Sequence, residues 1–93
     1  MKTNKNKIVY IVTTTGCSAC KFMENIMTDV RKDYSELTFT TTSFQNVPEW
    51  IKDSIIFTDF PTTIFVDNNT IKYHFTGTKS KNKIIKIINN IGF

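Results

Sequence analysis

Two cysteines, Cys17 and Cys20, stand three residues apart in the stretch Gly16-Cys17-Ser18-Ala19-Cys20-Lys21, after an apolar β-branched run and before a helix-like one. Thiols at that spacing on the first turn of a helix are close enough to join in a disulfide. The free N–H groups and the dipole of a helix start also stabilise a thiolate. The pair is therefore a candidate for redox chemistry or for half of a metal site. A zinc site takes four ligands. The only histidine, His74, would lie about 10 Å short of the strand end that approaches the cysteines, at ~3.4 Å per residue. No metal is expected.

The chain has 93 residues and is expected to form one domain spanning 1–93, because that length has no room for a second core. Its 40% apolar content, rich in Ile and Phe, argues against disorder. No apolar run nears the ~20 residues of a membrane span. Behind the charged residues 1–7 the apolar stretch covers only residues 8–12, too short for a secretory signal. The expected address is the cytoplasm, or the host cytoplasm if the Lys-, Asn- and Ile-rich composition reflects an AT-rich viral genome; a low-GC bacterium is the other source it suits. In the cytoplasm a structural disulfide does not persist, so the cysteine pair points to catalysis or metal. The net charge of +4 comes from Lys2, Lys5 and Lys7 and from Lys79, Lys81, Lys83 and Lys86. The C-terminal set falls mostly on the polar side of an amphipathic helix, without interleaved aromatics. It reads as a solvated face, and no nucleic-acid partner is expected.

The elements that must position the cysteines follow from apolar spacing. Residues 7–14 form a continuous β-branched run, the pattern of a buried parallel strand, broken by Gly16. From residue 17 to about 33, Phe22, Met23, Ile26, Met27, Val30 and Tyr34 recur at three- and four-residue steps, which predicts an amphipathic helix. Residues 37–44 predict a second strand. Pro48 opens a short helix over 48–54, since proline is tolerated in a first helical turn. Pro61 stands just before a third strand, 62–66. Asp67-Asn68-Asn69-Thr70 reads as a tight turn into an antiparallel fourth strand, 71–76, ended by Gly77. Ser80 caps a last helix striped by Ile84, Ile87, Ile88 and Ile91. The order is β-α-β-α-β-β-α: an α/β fold with a four-stranded mixed sheet covered by helices on both faces.

With these elements in place the chain resembles the thioredoxin superfamily over nearly all of its length. Cys17 and Cys20 match the active-site pair. Phe60-Pro61-Thr62 matches the family's cis-proline segment, which packs against that pair, and Gly77 matches the glycine closing the last strand. There are departures. Thioredoxins carry an aromatic residue before the first cysteine and Gly-Pro between the two; here Gly16 precedes and Ser18-Ala19 intervene. Their buried acid on the active-site strand aligns with Ile11. The extra N-terminal strand and helix of full-length thioredoxins find no counterpart. Glutaredoxins have Pro-Tyr between the cysteines and a paired glycine followed by an acid, where Thr76-Gly77-Thr78-Lys79 supplies one glycine. By motif the chain is closer to thioredoxin, by size to glutaredoxin.

The resemblance implies thiol–disulfide exchange. Cys17 attacks a substrate disulfide as a thiolate with a pKa below the free value of ~8.5, and Cys20 resolves the mixed disulfide. Lys21, as a solvated side chain, adds little. With Ile11 in place of an acid, Asp59 is the nearest candidate proton acceptor for Cys20. With Pro61 before a strand and at the position of the family's active-site loop, a cis Phe60–Pro61 bond is expected, leaving the backbone of Phe60 free to pair with a substrate strand. A trans proline at a strand start is the alternative. The Phe60 side chain reads equally as a substrate contact or as core. Gly16, Phe60, Pro61, Thr62 and Gly77 thus form the expected substrate-binding set. The Cys17–Cys20 disulfide itself would be the redox group, with no further cofactor. The implied partners are protein disulfides such as that of ribonucleotide reductase and a thioredoxin or glutathione reductase system, acting on a monomer. A glutathione-dependent glutaredoxin is the alternative enzyme. A non-catalytic thioredoxin-fold binding module is the alternative outside catalysis, and it would have no need of both cysteines.

Overall fold

Residues 8–12 and 62–66 are β-branched and aromatic stretches, and the centre of the sheet is built from them. A computed structural model of the chain describes residues 6–93, so Lys2 and Lys5 of the N-terminal lysine group lie outside the described residues. The elements run β1 (Lys7–Thr13), α1 (Ser18–Lys32), β2 (Thr38–Ser43), α2 (Glu49–Ser54), β3 (Thr62–Asp67), β4 (Thr70–Thr76) and α3 (Lys81–Asn90). The sheet order is β2-β1-β3-β4. β1 pairs in parallel with β2 and antiparallel with β3, and β3 pairs antiparallel with β4. The expected mixed four-stranded sheet between helices is the observed one.

Alternation along the central strands sorts their side chains onto two faces. Val9, Ile11, Phe65 and Phe75 meet Met23, Met27 and Val30 of α1 and Ile84 and Ile88 of α3. On the opposite face Val12, Ile64 and Val66 meet Ile51 of α2 and Val47 before it. β3 is therefore buried on both sides along residues 62–66, while the outer strands β2 and β4 stay largely accessible. Asn68 and Asn69 take positive φ, 53° and 65°, as a two-residue hairpin turn between right-twisted strands requires.

Three features depart from the expected pattern. Phe22 projects from the apolar stripe of α1 and is 60% exposed, because the buried face of that helix runs along Cys20, Met23, Met27 and Val30. Phe44 leaves the second strand and enters a 3-10 turn, Phe44–Asn46. Its ring packs edge-on against Phe57 and Phe60, a long-range contact that outweighs strand propensity. Pro48 precedes α2 as its N-cap, and its carbonyl accepts from Ile51 and Lys52.

Candidate active site

Gly16 prepares the site. Its φ of +72° is a left-handed conformation that costs an L-residue ~1–2 kcal/mol, and it turns the chain from the end of β1 into α1. Cys17 follows as the N-cap of α1, in extended backbone, and its sulfur accepts the Cys20 N–H at 3.0 Å. Serine, threonine, aspartate or asparagine usually fills this position; here a sulfur does. Cys17 and Cys20 are joined in a disulfide, with Cα atoms 5.2 Å apart. Cys17 is partly exposed, whereas Cys20 begins the buried stripe of α1 and is only 3% exposed. The two sulfurs are thus inequivalent: one is partly open at the surface and the other faces the core.

The electrostatics of the helix favour a thiolate at Cys17. The first turn of α1 carries no acid, so no carboxylate there opposes the positive end of the dipole. The Phe60 carbonyl lies 3.7 Å from the Cys17 sulfur and would accept from a thiol rather than welcome an anion. The N–H is 0.7 Å closer by those two distances, so the anion-stabilising contact is the stronger.

That carbonyl belongs to the loop before β3. The Phe60–Pro61 peptide bond is cis, the isomer the family resemblance implies. Pro61 is buried, and its carbonyl accepts the Gly77 N–H at 2.8 Å, which ties the end of β4 to the loop; Gly77 takes φ +80° to do so. Thr62, 1% exposed, donates its hydroxyl to the Asp59 carbonyl at 2.6 Å and so braces the loop from beneath. The Phe60 ring stacks on Phe57 and packs edge-on against Phe44, within the apolar cluster that also holds Ile51. Of its two sequence readings, this packing favours core.

Gly16, Cys17, Phe60, Pro61 and Gly77 are thus brought to one end of the sheet. Asp59 also lies in this loop, but its side chain is exposed and has no hydrogen-bond or ion-pair partner among the described residues; only its carbonyl takes part. His74 pairs with Ile64 in the interior of β4, while Thr76 is the residue opposite Thr62. Among the described residues no three His, Cys, Asp or Glu side chains gather as a metal site needs, and no helix is long and apolar enough to cross a membrane.

Several neighbours of the disulfide had no signal in the sequence. Thr13, Thr14, Lys21 and Glu24 line a shallow depression beside Cys17, Ser18 and Cys20; of these only Lys21 is singled out by its position next to Cys20. In β3, two residues after Pro61 and opposite Ile11, Thr63 is 0% exposed and its hydroxyl has no hydrogen-bond partner, an arrangement that costs about 1–3 kcal/mol. In the sequence Thr63 is one more β-branched strand residue.

The model of the thioredoxin family matches residues 1–90. The chain belongs to the thioredoxin family. With a redox-active cysteine pair at the start of α1, it is a thiol–disulfide oxidoreductase. No curated protein sequence matches the chain. Among solved structures it is similar to a malaria parasite thioredoxin-2, described as a component of the protein secretion machinery. The TM-score there is 0.76 at 21% identity, over 91% of this chain and 82% of that one. It is similar to the short form of spinach chloroplast thioredoxin f, with TM-score 0.77 at 18% identity over 98% and 80% of the two chains. The oxidised mitochondrial thioredoxin 3 of Saccharomyces cerevisiae gives 0.75 at 20% identity over 95% and 81%. These likenesses concern the fold; the family match carries the chemistry.

Proposed function

We propose that this thioredoxin-family chain reduces protein disulfides, with Cys17 as the attacking sulfur and Cys20 as the resolving one. The observation that carries the assignment is the asymmetry of the pair: Cys17 caps α1, partly exposed, with a backbone N–H on its sulfur, and Cys20 is buried one turn on. The Cys17 thiolate attacks one sulfur of a substrate disulfide and expels the other as a thiolate, which takes up a proton. Cys20 then loses its proton and attacks the Cys17 sulfur. The Cys17–substrate bond breaks, the second substrate thiol leaves, and the Cys17–Cys20 disulfide remains. The substrate gains two electrons and the cysteine pair loses them.

Substrate recognition is assigned to the rim formed by Gly16, Phe60, Pro61 and Gly77, where the Phe60 backbone borders the Cys17 sulfur and is open to strand-like pairing. Buried Thr62 supports that rim through Asp59. The electron donor is a thioredoxin reductase system and the acceptor a protein disulfide such as that of ribonucleotide reductase, in a reducing compartment, with the protein acting as a monomer. Family membership supports these partners.

The test is turnover of insulin disulfides with dithiothreitol as electron donor. The wild type reduces them, Cys17→Ser does not, and Cys20→Ser accumulates a covalent adduct with substrate that reductant releases. Activity retained in Cys17→Ser, or an adduct formed through Cys20, contradicts the assignment. Glutathione supplied alone in place of dithiothreitol separates the glutaredoxin reading, which requires efficient turnover with it.

A further inference from the structure

Thioredoxins place a carboxylate where this chain has Ile11, and the question is what faces Cys20 instead. Ile11 is 2% exposed and sits directly opposite Thr63 in the β1–β3 pair, while Thr63 is opposite Phe75 in the β3–β4 pair. Residues directly opposite in a sheet project to the same face. Ile11, Thr63 and Phe75 therefore form one row across the sheet, and Ile11 and Phe75 belong to the cluster under α1 and α3. Cys20 heads the buried stripe Cys20, Met23, Met27 and Val30 of α1, at the end of the helix nearest the Phe60–Pro61 loop. Two residues after Pro61, Thr63 sits at that same end of β3. Its hydroxyl is the one buried side-chain oxygen or nitrogen without a partner among the described residues, whereas neighbouring Thr62, on the other face, is satisfied by Asp59.

A hydroxyl held among apolar side chains with nothing to bond is an unfavourable element of the disulfide state. Reduction changes what it faces. In the disulfide state the hydroxyl bonds to neither sulfur, because the bond to Cys17 holds the Cys20 sulfur in place. Once that bond opens, the Cys20 side chain is free to turn about its Cα–Cβ bond toward the sheet. Its thiolate is a charged acceptor, and hydrogen bonds to charged groups are about twice as strong as neutral ones. We propose that Thr63 is the positioning residue for resolution: its hydroxyl donates to the Cys20 sulfur as the proton leaves to solvent, doing by hydrogen bonding part of what a carboxylate does by proton transfer. A threonine hydroxyl is no base at neutral pH, so the proton itself goes to water. This inference rests on Cys20 being the resolving thiol. It predicts a lower Cys20 pKa than an all-apolar pocket would give and a disulfide state less favoured than it would be without the hydroxyl.

Reaction of the reduced protein with excess 5,5′-dithiobis(2-nitrobenzoic acid) separates the two steps. Attack by Cys17 releases one thionitrobenzoate in a phase that scales with reagent concentration; attack by Cys20 on the mixed disulfide releases a second in a phase that does not. Thr63→Val keeps the shape and removes the hydroxyl. It is expected to leave the first phase unchanged, to slow the second by about tenfold near neutral pH, and to move the second-phase inflection up by about one pH unit, between about pH 6 and 9. Its dithiol–disulfide equilibrium with glutathione shifts toward the disulfide, because the oxidised state sheds an unpaired hydroxyl and the reduced state loses a bond. Thr63→Ser restores both readouts, and Thr63→Ala, which also lacks the hydroxyl, behaves as Thr63→Val should the valine not be accommodated. A second phase and an equilibrium that are the same with and without the hydroxyl overturn the role of Thr63 and leave that of Cys20 standing. A wild type that releases no second equivalent overturns the assignment of Cys20 and this inference with it.

Discussion

Cys17 serves two purposes in one position. It is the N-cap of α1, accepting the Cys20 N–H, and it is the partly exposed sulfur of the pair, the one proposed to attack substrate. A serine in its place can also accept that N–H, so loss of activity in Cys17→Ser reports lost chemistry rather than a lost helix start. Ile11 is the other decisive residue. Ile11→Asp places a carboxyl where a side chain is 2% exposed; desolvation raises its pKa above the ordinary ~3.9. A raised pKa means that the folded state holds the proton more tightly than the unfolded one. The stability penalty therefore grows as pH rises from the unfolded value through the raised folded one, reaching on the order of a few kcal/mol. Denaturant unfolding at several pH values measures it. Despite that penalty the variant should resolve mixed disulfides faster than wild type near neutral pH, and stopped-flow turnover checks the rate. The cysteine pair was legible in the sequence because it is a matter of residue type at fixed spacing, and the missing acid at Ile11 because the resemblance to thioredoxins supplies the position to compare. The unpaired Thr63 hydroxyl was not, since a threonine in a strand carries no mark of which partners surround it.

Elements were legible wherever burial is periodic. β1, β3 and the stripes of α1 and α3 follow from their apolar spacing, and the Ser80 cap from residue type: its hydroxyl accepts the Lys83 N–H at 3.2 Å. What escaped was set by contacts between elements. The turn at Phe44 answers to Phe57 and Phe60, and the register shift between Phe65 and Val66 against β4 leaves no trace in alternation. The exposure of Phe22 reflects how narrow the buried stripe of α1 is. Two substitutions separate caps that hold structure from those that also hold the site. Ser80→Ala should cost about 1 kcal/mol of unfolding free energy without changing thiol reactivity, because α3 starts away from the cysteines in the chain and bears none of the site residues. Gly16→Ala meets no steric obstacle within 4 Å but must hold φ +72°, a cost of about 1–2 kcal/mol, and it should also slow Cys17 because the turn that presents the sulfur is strained. Urea unfolding and Ellman kinetics on the two variants check the contrast.

At the scale of the molecule, one sheet separates two apolar clusters, and β3 belongs to both. Phe65, 0% exposed, meets the rings of Tyr73, Phe75 and Phe93 under α1 and α3. Lys7 and Phe93 join the ends of the described chain, the lysine donating to the Phe93 carbonyl at 3.1 Å. Phe65→Ala should cost about 3–5 kcal/mol, a large part of the ~5–15 kcal/mol that holds a domain folded, and calorimetry should show Tm lower by more than about 10 °C. The fold exists to hold two sulfurs in unequal surroundings, and the most direct test is their reactivity in the reduced protein. Brief pulses of iodoacetamide at a series of pH values, followed by peptide mapping, should label Cys17 first, with a midpoint below ~8.5, while Cys20 stays protected. Labelling of Cys20 first, or a Cys17 midpoint at or above that of a free thiol, would contradict the account.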